Sequence, residues 1–226
     1  MKSRAIAYQA ASAHIEAQND TTQRGSHAMR FTGFIAALGI GLLSAGQAAA
    51  DKLSLNEVSN YLNGIRTAAS DFTQINGDGT ISTGELALSR PGKMRFDYNP
   101  PEQALVMAGR GTVVIIDKKV GGVPETYPLN QTPLSIILAQ NVNLAQQGMV
   151  VGHTFDGTAT TVTARDPRRP EYGTIQMKFT DNPVELKQWV VTDQNGQTTT
   201  VVLGALQKQE LPNSLFNIDR AVAEAN

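Results

Sequence analysis

The stretch RPGKMRFDYNPP at residues 90–101 decides the fold class. It starts with a Pro-Gly turn pair, ends with two prolines, and alternates charged and apolar side chains between them. This period of two is typical of a half-buried β-strand, with Met94, Phe96 and Tyr98 on one face and charged side chains on the other. Because basic and aromatic side chains lie on opposite faces, the stretch lacks the combined surface typical of nucleic-acid binding.

Further strands are predicted on both sides of this stretch. Turn sequences such as NGDGT at 76–80 and Asn195-Gly196 separate runs of alternating or apolar residues. The predicted strands cover residues 80–90, 93–98, 103–109, 112–117, 149–156, 158–165, 172–180, 184–193 and 197–206, with a short edge strand at 214–219. About ten antiparallel strands with short connections predict a meander that curls instead of lying flat.

Two segments show helical periodicity. In residues 53–70, Ser54 and Glu57 have capping-box spacing, and apolar residues recur every three or four positions. A short helix is predicted at 132–139, where Thr132 is a suitable N-cap. We therefore expect a mainly β protein with helices, an antiparallel unclosed half-barrel covered by an N-terminal helix and a helical lid. The pattern leaves open whether the helices fill the concave face as an ordinary core or cover a cavity.

The first fifty residues differ from the rest of the chain. Residues 1–28 are polar without an apolar period, and we expect them to be disordered or a non-native extension. Residues 29–50 combine an arginine, the apolar run FTGFIAALGIGLLSAG and small residues, as in a secretory signal peptide. We expect cleavage near Ala50-Asp51 and a single exported domain over 51–226.

The composition excludes several kinds of site. The chain has no cysteine, which removes thiol nucleophiles, thiolate metal sites and a lipid anchor on cysteine. Only His153 follows Asp51, so a zinc site of several histidines is excluded, and no nucleophile motif accompanies this histidine. A net charge of −1 offers no basic excess. We expect no enzymatic activity, no metal, no cofactor and no nucleic-acid partner.

Arg90 has two interpretations from the residues alone. It is either a solvated turn arginine, or it reaches inward with Leu86 and Leu88, whose strand parity it shares. In the second case it would bind carbonyl groups at the end of a covering helix. Several apolar sheet positions carry methionine, a side chain that adapts to variable surfaces and also serves as ordinary core filler.

The stretch at 90–101 resembles a motif of the outer-membrane lipoprotein carrier (LolA) family. That motif reads Arg-Pro-x-x-apolar-Arg-aromatic-x-Tyr-x-x-Pro. DFTQ at 71–74 resembles the family's Phe-x-Gln after the first helix, and LKQWVVTDQNGQTTTVVL at 186–203 resembles its late hairpin. The resemblance covers about residues 52–220.

The resemblance implies a monomeric periplasmic shuttle that performs no chemistry on its cargo. Its partners would be acylated lipoproteins, an inner-membrane lipoprotein-releasing ABC transporter and an outer-membrane lipoprotein receptor. It implies that Arg90 is the lid latch, binding helix backbone, and that Met94 and Phe96 touch acyl chains. The other expected cavity residues are Leu86, Leu88, Met107, Leu134, Ile137, Leu138, Ile175, Met177 and Phe179. A carrier or sensor of other lipids or glycolipids with the same fold is the alternative.

Overall fold

The structure, a computed structural model, describes residues 51–225 and consists of one antiparallel sheet with helices. The predicted extension at 1–28 and signal peptide at 29–50 lie outside the described residues. The strands are β1 (Thr67–Asn76), β2 (Ile81–Ser89), β3 (Lys93–Tyr98), β4 (Ala104–Gly109), β5 (Thr112–Asp117), β6 (Glu125–Pro128), β7 (Val150–Phe155), β8 (Ala159–Ala164), β9 (Thr174–Thr180), β10 (Glu185–Thr192), β11 (Thr198–Leu203) and β12 (Gln207–Lys208).

Two meanders build the sheet. Its strand order is β6-β5-β4-β3-β2-β1-β11-β10-β9-β8-β7, and β12 also pairs with β1. The meanders β1–β6 and β7–β11 join where β1 pairs with β11, with Phe72 opposite Leu203. The edge strands β6 and β7 do not pair with each other, so the sheet is open. The predicted unclosed antiparallel sheet is thus confirmed, while β1, β6 and β12 were not predicted as strands.

The first helix, α1 (Leu55–Asn63), begins at the predicted capping box. The Ser54 hydroxyl accepts a hydrogen bond from the Glu57 backbone N–H at 3.2 Å, and the Glu57 carboxylate accepts one from the Ser54 N–H at 2.8 Å. These two bonds satisfy amides that a helix start otherwise leaves free. The hydrogen bond to Ser54 lowers the pKa of Glu57.

The predicted helix over 53–70 is wrong in its second half. The helix ends at Gly64, and β1 already begins at Thr67. From Ala68 onward buried and more exposed side chains alternate, which is a strand pattern. The small residues Ala68 and Ala69 fit both periods, so pairing with β2 and β12 decides their conformation.

The edge strand predicted at 214–219 is also wrong. A 3-10 helix (Asn213–Phe216) and α3 (Ile218–Ala225) occupy this region. Ile218 and Ala221 pack on the outward-facing side chains of β4 and β5, forming a second apolar cluster. The run is amphipathic with a helical period, and this buried contact is the physical reason that it folds as a helix.

The connection between β6 and β7 crosses the open side of the sheet. Its first part, residues 129–144, is called the covering segment here and contains a 3-10 helix (Leu129–Gln131) and α2 (Leu134–Ile137). The helix predicted at 132–139 is therefore present but shorter. The buried apolar side chains that the segment adds to the main core are Leu129, Ile136, Ile137, Leu138, Val142 and Leu144. No helix within residues 51–225 is long and apolar enough to cross a membrane.

Close packing under an aromatic ring explains one glycine in β2. Phe72 from β1 lies over Gly84, and its ring makes edge-on contacts with Phe96 and Tyr98 at centroid distances of 5.0 and 5.1 Å. A Cβ added to Gly84 would lie 2.2 Å from the Asp97 carbonyl oxygen and 2.7 Å from the Phe72 ring. The position therefore requires glycine for space.

We predict that Gly84→Ala lowers the free energy of unfolding by about 1–3 kcal/mol, because the methyl group overpacks a rigid site. Urea denaturation of the purified protein measures this. The control is Thr83→Ser on the other face of the same strand, which keeps the exposed hydroxyl that accepts from Asn99 Nδ2 at 3.1 Å; its effect should stay within about 0.5 kcal/mol. Equal effects of the two substitutions would contradict the packing argument.

Candidate functional site

The inner face of the sheet brings most of the predicted cavity residues together. Register places Leu88 opposite Met94 and Leu86 opposite Phe96. On the other meander Met177 lies opposite Trp189. These side chains belong to or pack against one buried cluster, which contains the predicted residues Leu86, Leu88, Met94, Phe96, Leu134, Ile137, Leu138, Ile175, Met177 and Phe179. In the described conformation this face is closed to water by α1 and the covering segment.

Met107 is the exception and corrects the predicted set. It pairs with Arg95, while its neighbour Ala108 pairs with Met94. Since facing residues of paired strands share a side of the sheet, Met107 points outward. It is buried there beneath α3, in the cluster that contains Ile218. The strand β4 is apolar on both faces, so its composition alone does not indicate which side chains face inward.

The inner face also contains an aromatic group that the predicted set omitted. Phe72, Tyr98 and Trp189 surround Phe96, and the Phe96–Trp189 ring centroids are 6.2 Å apart in an edge-on arrangement. Trp189 is buried although it lies on the far meander. Alternation within β10 gave no clear signal, because a bulge between Leu186 and Gln188 shifts the parity and leaves Leu186 and Trp189, three positions apart, both buried.

Arg90 reaches inward at the end of β2 and joins two segments of the inner side. Its Nη1 donates to the carbonyl oxygen of Leu62 in α1, and its Nη2 donates to the carbonyl oxygen of Ala139 at 2.6 Å. Nη2 also lies 3.3 Å from the side-chain oxygen of Asn63. The residue is 9% exposed. Of the two interpretations, the structure shows the inward one, with the guanidinium bound to backbone at a helix end.

The turn that carries Arg90 adds two backbone hydrogen bonds to the same segments. The Arg90 N–H donates to the Arg66 carbonyl at 2.8 Å, and the Gly92 N–H donates to the Leu138 carbonyl at 2.9 Å. Gly92 has a φ of 74°, a conformation that glycine adopts without a steric penalty. The Pro-Gly turn thus positions both the Arg90 side chain and the Gly92 N–H to bind the covering segment.

Asn63 and Ser59 extend this contact along α1. The Asn63 amide imitates a backbone partner, since its oxygen accepts from the Val142 N–H at 2.8 Å and its nitrogen donates to the Val142 carbonyl at 2.9 Å. One turn earlier the Ser59 hydroxyl accepts from the Leu144 N–H at 3.1 Å. We call Ser59, Asn63 and Arg90 the polar clasp. Its members bind backbone groups of the covering segment.

The positive charge of the polar clasp lies on Arg90 and has no ionic partner among residues 51–225. Burial lowers the pKa of the Arg90 guanidinium, and the positive charge of Arg66 acts in the same direction. Within residues 51–225 Arg90 forms no salt bridge, and its Nε is buried without a hydrogen-bond partner. The carbonyl dipoles at the end of α1 favour a cation, which partly offsets the cost of burial. The closed arrangement is therefore held by charge-assisted hydrogen bonds and opposed by desolvation.

His153 has a structural contact far from the clasp. Its Nε2 lies 2.8 Å from the Leu53 carbonyl oxygen, and Lys52 Nζ donates to the His153 carbonyl at 2.9 Å. These bonds fasten the chain before α1 to β7.

Comparison with known proteins adds the family. The profile described as "Outer membrane lipoprotein carrier protein LolA" matches residues 63–219. The chain belongs to the LolA family. The outer-membrane lipoprotein carrier proteins of Cupriavidus pinatubonensis and Chromobacterium violaceum are 26% and 25% identical to it, over 71% and 80% of this chain and 81% and 88% of those proteins. A solved LolA superfamily protein from Nitrosomonas europaea is 8% identical, with a TM-score of 0.40 over 74% of this chain and 99% of that chain.

Within this LolA family member, we predict that Asn63→Ala loosens the covering segment locally. The substitution leaves the Val142 N–H and carbonyl without their partner, which costs about 1–3 kcal/mol. Hydrogen exchange measured by mass spectrometry should accelerate in peptides covering residues 139–144 and stay unchanged in β9. Asn60→Ala is the matched control, because Asn60 is exposed on the same helix. Unchanged exchange at 139–144 would contradict the role assigned to Asn63.

Proposed function

We propose that this protein is a periplasmic carrier that binds the acyl chains of lipoproteins between the inner face of its sheet and the covering segment. The observation that carries the proposal is a large apolar inner face closed by a segment that is fastened through a few hydrogen bonds. Family membership and the names of the relatives support a lipoprotein carrier role.

The chemistry of the inner face favours acyl chains over polar ligands. Its buried side chains near α1 are branched aliphatic residues, methionines and aromatic rings. Each buried CH₂ group contributes about 0.8 kcal/mol of binding free energy. The burial of two acyl chains would therefore contribute much more than the loss of the clasp's hydrogen bonds would cost. Met94 and Met177 add side chains that adjust to chains of different length.

The covering segment is suited to act as a lid, with Arg90 as its latch. It connects edge strands that do not pair with each other, so it can move without breaking the pairing of the two meanders. Its apolar side chains occupy the inner face in the closed state, and acyl chains would replace them in the open state. Opening would also rehydrate the Arg90 guanidinium, which lowers the cost of releasing its hydrogen bonds.

The pathway around this protein forms part of the same proposal. We expect it to receive acylated lipoproteins from an inner-membrane ABC transporter and to deliver them to an outer-membrane receptor, working as a monomer. The signal-peptide pattern at 29–50 and the family support a periplasmic location. Depletion of the protein should leave lipoproteins in the inner membrane.

Loss of the Arg90 latch should change the rate of ligand exchange more than the affinity for the ligand. Arg90→Leu removes two charge-assisted hydrogen bonds, so we expect acylated peptide to bind within about threefold of wild type but to exchange with a fluorescent apolar probe at least about tenfold faster. Stopped-flow displacement from protein purified from the periplasm measures both quantities. Arg66→Leu is the control, since it removes the same charge beside the clasp and its side chain is exposed.

Wild-type exchange and transfer by Arg90→Leu would refute the latch. Failure of acylated peptide to displace the probe from wild-type protein at micromolar concentration would refute the carrier function itself. Mass spectrometry of lipid bound to the purified protein separates lipoproteins from free lipids or glycolipids as cargo.

His153→Ala tests the expectation that the protein performs no chemistry on its cargo. The histidine contacts backbone near Leu53, so we expect a loss of about 1 kcal/mol in unfolding free energy and unchanged lipoprotein transfer. A transfer assay reconstituted with purified components measures the second quantity. Complete loss of transfer in a folded variant would show that the imidazole has a chemical role.

A further inference from the structure

The inner face changes from apolar to polar along its central strands. In β1 the inward positions are Ala68, Ser70, Phe72, Gln74 and Asn76, and all five are buried. The Ser70 hydroxyl donates locally to the Asp71 carbonyl, whereas Gln74 and Asn76 bond to other side chains. Eight residue steps separate Ala68 from Asn76, about 26 Å of strand. The polar end is thus remote from the clasp, which lies beside the start of β1.

A directed chain of hydrogen bonds fixes the side chains at the polar end. Tyr98 Oη donates to Gln74 Oε1 at 2.6 Å, and Gln74 Nε2 donates to Asn76 Oδ1 at 2.8 Å. Asn76 Nδ2 donates to Thr80 Oγ1 at 2.8 Å, and that hydroxyl donates to Asp78 Oδ1 at 2.7 Å. Each amide uses one of its two hydrogens in this chain. The side chains are therefore held in fixed orientations with donor capacity left over.

Thr199 supplies an unused hydroxyl beside this chain. It lies opposite Asn76 in the pairing of β1 with β11, and opposite Val191 in the pairing with β10. Its Oγ1 is buried and forms no hydrogen bond within residues 51–225. A buried hydroxyl without a partner costs about as much as a lost hydrogen bond, so such a group calls for an explanation. Valine would fill the same volume without this cost.

The charge of the region defines the kind of ligand that fits. The register rows at this end contain the inward side chains Trp189, Val201, Gln74, Ser82, Val191, Thr199 and Asn76, none of which is charged. The carboxylate that ends the hydrogen-bond chain, Asp78, is exposed in the turn between β1 and β2 and carries a negative charge. A buried phosphate or carboxylate would lack a cation there, which is costly. An uncharged acceptor such as a carbonyl oxygen matches the available O–H and N–H donors.

We propose that Gln74, Asn76 and Thr199 form a subsite for the ester carbonyl groups of bound acyl chains. The inference rests on the proposed carrier function and adds a selectivity to it. Hydrocarbon tails would lie on the apolar rows toward the clasp, and the first polar atoms of the ligand would meet the polar end of the same strands. Thr199 donates to a carbonyl oxygen and thereby gains the partner that it lacks.

The test compares two synthetic lipopeptides with the same peptide, one with diacyl ester chains and one with dialkyl ether chains. Displacement of a fluorescent apolar probe gives both dissociation constants. We expect wild-type protein to bind the ester form about threefold to tenfold more tightly, the value of one neutral hydrogen bond. Thr199→Val should abolish this preference by weakening ester binding alone, and Thr199→Ser should retain it.

Thr200→Val is the matched control, because it makes the same change in the same strand on the other face of the sheet. It should keep the wild-type preference. An undiminished ester preference in Thr199→Val, or no preference in wild type, would overturn the subsite while leaving the carrier function intact. If neither lipopeptide displaced the probe from wild type, the carrier function would fail, and the subsite with it.

Discussion

The pairing of β1 with β11 is the constraint on which the rest of the structure depends. It joins two meanders whose free edges, β6 and β7, stay unpaired at opposite ends of one sheet. Because β6 and β7 are consecutive in sequence, the chain between them has to travel from one edge to the other. Connectivity therefore makes this segment cross one face of the sheet, and its buried apolar side chains determine that it covers the inner face.

The clasp then determines how firmly that segment is held. Ser59, Asn63 and Arg90 all bind backbone groups of residues 139–144, so the contact depends on the path of the segment and little on its side chains. A buried Arg90 without a carboxylate gains less from closure than a buried ion pair with full hydrogen bonding, and it loses less when water returns. Such a fastening suits a segment that opens and closes.

The alternation of side chains along each strand predicted which residues lie on the inner face. The errors arose where this alternation gave no signal. The inward direction of Met94 and Phe96 followed from the sequence, because charged neighbours mark the other face of β3. Met107 was misplaced because β4 is apolar on both faces, and only its pairing with Arg95 shows its direction. The burial of the outer face of β4 depends on α3, whose first two residues fall in the edge strand wrongly predicted at 214–219. Arg90 remained ambiguous from the residues, since its partners, the carbonyls of Leu62 and Ala139, are distant in sequence and are brought together only by the fold.

A carrier with this architecture has to solve a problem of its own, because an empty apolar face exposed to water would promote aggregation. In the closed structure the covering segment supplies the missing apolar partners, with Leu138, Val142 and Leu144 buried against the inner face. On the proposed function, acyl chains and these side chains compete for the same surface. Opening breaks a few hydrogen bonds and removes that apolar contact. Each CH₂ group of an entering acyl chain then contributes about 0.8 kcal/mol of binding free energy. The balance therefore depends on ligand length, while polar positions such as Thr199 would set where along the strands the chains begin.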